Sequence, residues 1–475
     1  MSLTSLLIQT ALDRSRSLRE ELLRLTTKQF PNNGPTYLIT LAIDTNQQIY
    51  DDLSALLIDE SLLTDTPQEE IEIKLRAGTL LLSYLHLIMQ YVEGAELQYS
   101  PSSMVFPIHH LIRKHIRDFE FILRTSCVYN YSIFDLMVGL KDVYYKTGYS
   151  RFLRSFPDQL FITDCPISER RNVPIHCIFA HEIGHVLYRT YNMSDVLKPL
   201  VSVNEEAVQR LITRATRDRT ETEESTNGTT TEVVPDWIVE HIIRSNIQTY
   251  TWNWIEEITS DAIALCLLGP AYFFAFVYFA GPFALLDNPS KDHPPDRMRI
   301  EFMCDMLLDH SNGLKYDAAL EEVSPESKQY VEQWRNYTRE SLQTTFGTEI
   351  TTFSVSAHSI EPILGNIMLE SKEKIGRRRY TPGRFKRDVP KLFNNLAYGI
   401  PPNEIIDDWE TGEPRVAEAE AILNSGWIYF TSNDDSYAKL LGSPEDKWKT
   451  SNRLFGLISK GLEYSELQRH WNKIS

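Results

Sequence analysis

Apolar residues recur at three- and four-residue spacing through most of the first hundred positions. This period predicts helices over Leu3 to Leu25, Tyr37 to about Leu57, and Gln68 to Val92. Asn32-Asn33-Gly34-Pro35 and Thr64-Asp65-Thr66-Pro67 mark the turns between them, the second placing proline in a first helical turn. From about Pro101 the texture changes. Leu160 to Pro166 (LFITDCP) reads as a short strand ended by its proline. Ile175 to about Arg189 reads as a strongly patterned helix. Thr216 to Glu232 has no aromatic residue and almost nothing apolar, which predicts a mobile surface insertion. A further helix follows Val233-Val234-Pro235 and runs through Asp261. The chain beyond Thr345 again reads as helical, with turn signals at Thr381-Pro382-Gly383 and Ile400-Pro401-Pro402. The expected organisation is a helical region over 1–100, a central domain over 101–345 and a helical region over 346–475.

One apolar run is long enough to ask about a membrane. Ala262 to Leu286 carries no charge. Gly269-Pro270 and Gly281-Pro282 interrupt it, so a buried helical hairpin is the favoured reading over a span.

Composition narrows the classes. The 475 residues carry a formal net charge of −17, which argues against non-specific binding to nucleic acid or anionic membrane over most of the surface. Against that background, Lys372 to Arg387 holds eight Lys or Arg. It is either a docking site for a nucleic acid or an acidic partner, or a solvated loop balancing nearby carboxylates, and the second is favoured. The five cysteines (Cys127, Cys165, Cys177, Cys266, Cys304) are scattered and form no C-x-x-C pair. They read as reduced thiols of a cytoplasmic protein rather than a disulfide framework or a thiolate metal site. The N-terminal residues read as an amphipathic helix rather than a signal peptide.

The chemistry concentrates at His181-Glu182-Ile183-Gly184-His185. Residues four apart on a helix lie one turn above each other, so His181 and His185 can aim two imidazoles at one metal ion. Glu182, about 100° around the helix, then stands where a general base for a metal-activated water is needed. Gly184 is unfavourable in a helix interior by about 1 kcal/mol relative to Ala. It makes sense if a substrate or a neighbouring chain passes close by.

A catalytic zinc site needs a third protein ligand. Glu205 follows His185 at a thermolysin-like distance, but the residue four beyond it is Gln209. Glu257 has Asp261 four residues on, along the same helix face. Asp261 could accept a hydrogen bond from the outer N–H of a ligand histidine and fix its ring. Glu257 is therefore favoured over Glu205, and Glu256, rotated about 100° away, is the weaker neighbour. His86, His109, His110, His115, His176, His241, His310, His358 and His470 read as structural.

The pattern His181-Glu182-x-x-His185 followed by Glu257-x-x-x-Asp261 resembles the gluzincin signature of zinc metallopeptidases. It includes the CAAX-protease and heat-shock-protease branch and its soluble relatives. His293-Pro294-Pro295-Asp296-Arg297-Met298-Arg299-Ile300 extends the resemblance, since that branch carries His-Pro and then an arginine six residues after the histidine. By that match, His293 and Arg299 are implied to sit near the open metal face and to contact the developing oxyanion or the substrate. The resemblance implies a mainly α fold, α+β in the catalytic unit. That fold is a helical zincin-like core with a small sheet, holding one zinc and acting on a peptide or protein. It covers about Ile175 to Met303. The long polar stretch between His185 and Glu257 and the missing flanking membrane helices depart from it, so substrate class is not inherited. A zinc-stabilised partner-binding or sensor protein that no longer cleaves is the alternative expectation.

Overall fold

The computed structural model describes residues 3–58, 67–225, 235–284, 289–309, 311–345, 350–407, 414–432 and 447–474. The chain is mainly helical and divides into two compact units, Met1–Arg171 and Asn172–Ser475.

In the first unit the periodic segments fold as α1 (Leu3–Leu25), α2 (Gly34–Ile58) and α3 (Gln68–Glu93). Their apolar stripes meet in one core: Leu18, Leu38, Ile49, Leu81 and Leu85 are each fully or almost fully buried. α4 (Val105–Arg113) and α5 (Leu136–Thr147) accompany a three-stranded sheet of β1 (Phe119–Ser126), β2 (Ser132–Asp135) and β3 (Gln159–Pro166). β3 is central. It pairs parallel with β1, Leu123 opposite Thr163, and antiparallel with β2, Phe134 opposite Ile162. Asp135 ends β2 and caps α5, its carboxylate accepting from the amide of Met137 at 2.9 Å and that of Leu160 at 3.1 Å. The strand expected over Leu160 to Pro166 is thus present, but this sheet lies in the first unit rather than with the histidine helix. Residues 101–171 group with the N-terminal helices.

The second unit is built around a 33-residue helix. α6 (Phe179–Thr190) follows a 3-10 turn over Val173–Ile178, and a short α7 (Met193–Leu197) leads to α8 (Glu205–Ser225). α9 (Asp236–Leu268) is the long central helix, followed by α10 (Pro270–Ala284) and α11 (Asp296–Leu308). The expected mobile insertion over 216–232 is corrected in part. α8 continues as helix to Ser225, in keeping with the helix propensity of its Glu and Arg residues. Residues 226–234 lie outside the described ones.

The uncharged run of residues 262–286 resolves into the end of α9 and most of α10, with 285–288 outside the described residues. Gly269 makes the break with φ +62, a conformation that a side chain strains, and a Cβ there would stand 2.7 Å from the Tyr316 hydroxyl. Asn424, from the helix Ala419–Thr431, seals this break. Its amide donates to the Leu268 carbonyl at 2.7 Å and its oxygen accepts from the Ala271 amide at 2.9 Å. Ala262 to Phe276 are buried with few breaks, so the run is the core of this unit. Among the described residues no helix is long and apolar enough to cross a membrane.

Beyond α11 come α12 (Asp317–Val323), α13 (Pro325–Thr345), α14 (Thr352–Ile360), α15 (Leu364–Ile375), α16 (Pro382–Ala397), α17 (Ala419–Thr431) and α18 (Lys447–Ile474). The helical character expected for this region is present, in the same compact unit as α6 and α9. Thr381-Pro382-Gly383 starts α16 rather than marking a bare turn: the Thr381 hydroxyl accepts from the Arg384 amide at 3.3 Å.

Much of the basic cluster at 372–387 is engaged internally. Lys372 donates to the Asn312 carbonyl at 2.6 Å, while Lys374, Lys386, Arg384 and Arg387 pair with Glu370, Glu322, Glu418 and Asp388.

Candidate metal centre

α6 and α9 cross closely, and Gly184 is the reason. A Cβ at position 184 would stand 2.6 Å from the Ser260 carbonyl oxygen and 2.8 Å from its Cα. The neighbouring chain expected beside Gly184 is therefore the backbone of α9. This approach sets His181 and His185 on α6 opposite Glu256, Glu257 and Asp261 on α9.

Three side chains converge. His181 Nε2 and His185 Nε2 are 3.1 Å apart. His181 Nε2 is 3.3 Å from Glu257 Oε2, and His185 Nε2 is 3.2 Å from Glu257 Oε1. The spacing is that of a metal cage: ligand atoms ~2.0–2.2 Å from a tetrahedral zinc stand roughly 3.3 Å from one another. Among the described residues, His181, His185 and Glu257 form a group that could hold a metal ion.

Each histidine is oriented from behind by its own carboxylate. His181 Nδ1 lies 2.8 Å from Asp261 Oδ1, and His185 Nδ1 lies 3.1 Å from Glu256 Oε1. Both outer nitrogens face carboxylates, so in the neutral imidazoles both inner nitrogens turn lone pairs towards each other across 3.1 Å, an arrangement that a proton or a cation between them relieves. Glu257 Oε2 is buried and makes no hydrogen bond of good geometry, although His293 Nδ1 and His181 Nε2 lie 3.1 and 3.3 Å from it.

The electrostatics run the same way. Burial would lower both imidazoles, but the facing carboxylates lift them above their ordinary value. Asp261 and Glu257 act on His181, and Glu256 and Glu257 raise His185 to about 10. Burial would raise Glu257, yet the surrounding imidazoles hold it well below the usual carboxylate range. Asp261 is likewise held at about 2 against its burial, by Arg299 and His181. The pocket is built to hold positive charge.

Asp261 is itself braced. Arg299, 7 % exposed, forks onto it with Nε and Nη2 each 2.8 Å from a carboxylate oxygen, and Tyr272 donates its hydroxyl to the same group. The guanidinium also lies 4.5 Å from the Phe276 ring centre. Its free edge reaches Glu257, with Nη1 3.6 Å from Oε2. Arg299 is thus brought to the site, but beneath it and committed to Asp261 rather than out on the open face. His293 is the exposed member of that pair, its Nδ1 3.1 Å from Glu257 Oε2. Its turn is pinned to α9: the Trp254 indole donates to the Ser290 carbonyl at 2.9 Å and Asn253 to that of Lys291 at 3.1 Å.

Glu205 is elsewhere. It opens α8, is exposed, and pairs with Arg244 at 2.9 Å. Glu182 follows His181 on α6, half-buried beside the cluster. Glu256 and Tyr272 were not singled out as working residues by the sequence. The available signal for Glu256 was Arg189, four residues after His185, which reaches the same carboxylate at 2.9 Å.

Compared with protein-family models, with curated proteins and with solved structures, the chain matches none.

Proposed function

We propose that this protein is a zinc-dependent peptidase of gluzincin character, with His181, His185 and Glu257 as the metal ligands. One observation carries the reading: two imidazole nitrogens and a carboxylate converge at 3.1 to 3.3 Å, with each imidazole fixed from behind by a carboxylate. When bound, zinc supplies Lewis acidity, which lowers the pKa of a water towards about 7 and polarises a carbonyl.

The protein's own groups do the rest. Glu182, one residue past the first ligand, takes the proton from the attacking water and passes it to the leaving amine. His293, exposed beside Glu257, faces the side from which a substrate carbonyl arrives and donates to the oxygen as negative charge builds on it. Arg299 acts through Asp261 and Glu257, holding the charge of both in place. The carboxylate at Glu182 favours hydrolysis over a silent zinc protein, since neither the three ligands nor the groups bracing them use it.

The test is cleavage of a mixed peptide set by the full chain. Cleavage should stop on chelation, return with zinc, and be absent from Glu182→Gln while that variant keeps its metal. Cleavage by Glu182→Gln at the wild-type rate would remove Glu182 as the base.

A further inference from the structure

His293 stands beside Glu257 without being held there by burial. It lies between α10 and α11, where residues 289–295 form neither helix nor strand. Its side chain is 61 % exposed, with Nδ1 3.1 Å from Glu257 Oε2. A group that donates to a developing charge has to be in place beforehand, because freedom frozen during the reaction adds to the barrier. The backbone of His293 therefore needs an anchor.

Ser290 supplies one. Its hydroxyl oxygen accepts from the amides of His293 at 2.9 Å and Asp292 at 3.2 Å, and its own amide donates to the His293 carbonyl at 3.1 Å. Both backbone polar groups of His293 are thus engaged by one serine. The turn is in turn tied to α9. Trp254, fully buried, donates its indole N–H to the Ser290 carbonyl at 2.9 Å, and Asn253 donates to the Lys291 carbonyl at 3.1 Å. Asn253 is four residues before Glu257, on the same face of α9. One helix face carries both Glu257 and the anchor of the turn, so the carboxylate and the imidazole share a common reference. On the other side of His293, Pro294 and Pro295 are buried, each with its φ fixed by its ring.

We propose that Ser290 and Asn253 are positioning residues for His293. Ser290 shapes the turn, Asn253 ties it to α9, and together they hold the imidazole beside Glu257. Neither touches the reacting atoms. The effect on hydrolysis rests on the peptidase reading, whereas the placement of the ring does not.

Two readouts test it. In metal-free full-length protein labelled with 13C at histidine Cε1, the His293 resonance is assigned by its loss in His293→Ala. Ser290→Ala and Asn253→Ala should each shift or broaden that resonance, and Ser290→Thr, which keeps the hydroxyl oxygen, should leave it in place. In the zinc-loaded chain, Ser290→Ala should lower kcat for peptide cleavage about tenfold with KM within about twofold, and Ser290→Thr should keep most of the rate. In a His293→Ala background Ser290→Ala should cost nothing further. A His293 resonance unmoved in both alanine variants, or an equal loss of kcat with and without His293, would overturn the proposal. A wild type that cleaves no peptide would remove the peptidase reading, and the resonance would still decide what holds His293.

Discussion

Gly184 and Ser260 hold α6 and α9 at backbone contact, and His181, His185 and Glu257, the group that could hold a metal ion, stand around that contact. A methyl group at 184 would press 2.6 Å from the Ser260 carbonyl oxygen, against backbone that cannot rotate away. Gly184→Ala should therefore lower stability by about 1–3 kcal/mol despite its better helix propensity. By spreading the ligands it should also weaken metal binding by about tenfold or more. Thermal unfolding and a competitive chelator titration measure the two effects.

The carboxylate of Glu256 orients His185 as Asp261 orients His181. Glu256→Ala should reduce metal affinity by about 10–100-fold, and Glu256→Gln, which still accepts a hydrogen bond, by less. Equal losses in the two variants would show that charge, not orientation, is what Glu256 supplies.

Asp261 and Arg299 form a buried pair whose members depend on each other. Asp261→Ala leaves the guanidinium buried without its partner and should cost about 3–5 kcal/mol, whereas Tyr272→Phe, which removes one hydrogen bond to Asp261, should cost about 1 kcal/mol. Denaturant unfolding of the two variants measures this. Equal costs would mean that the fork carries less than its geometry indicates.

In the C-terminal part, Asp388 is buried and lies against Arg387, 2.7 Å away, and Arg415. Burial raises its pKa, but the two guanidinium groups outweigh that and lower it below the ordinary 3.8. A depressed carboxyl stabilises the fold above its unfolded pKa and loses that contribution as pH falls through the folded value. Asp388→Asn should thus be destabilised by about 1 kcal/mol near pH 7, with the gap to wild type closing below about pH 4. Unfolding midpoints of both proteins across that range check the sign.

The parts of this structure legible in the sequence are those governed by short-range periodicity. α1 and α3 begin and end within a residue or two of where the apolar spacing puts them, and β3 is there with its terminal proline. Within the metal centre, His181, His185, Glu257 and Asp261 come from i,i+4 relations on two helices, and those relations survive folding intact. β1 and β2 went unread because a strand pairing across forty residues, such as Phe119 with Gln159, is decided by tertiary contact. Glu256 was set aside for its 100° offset from Glu257. That reasoning holds for one helix alone, but α6 crosses α9 so closely at Gly184 that Glu256 reaches His185 as Glu257 does. The resemblance implies Arg299 near the open metal face; its guanidinium is buried against Asp261 and Phe276, with Nη1 3.6 Å from Glu257 Oε2. The depth of a side chain is not written in its spacing.

The most direct test of the account is the metal content of the purified chain, by elemental analysis, for wild type, Glu257→Ala and Glu205→Ala. The convergence of His181, His185 and Glu257 predicts one zinc per chain in wild type, retained in Glu205→Ala and lost in Glu257→Ala. A wild type that takes up no metal, or a site emptied by Glu205→Ala and kept by Glu257→Ala, would contradict it.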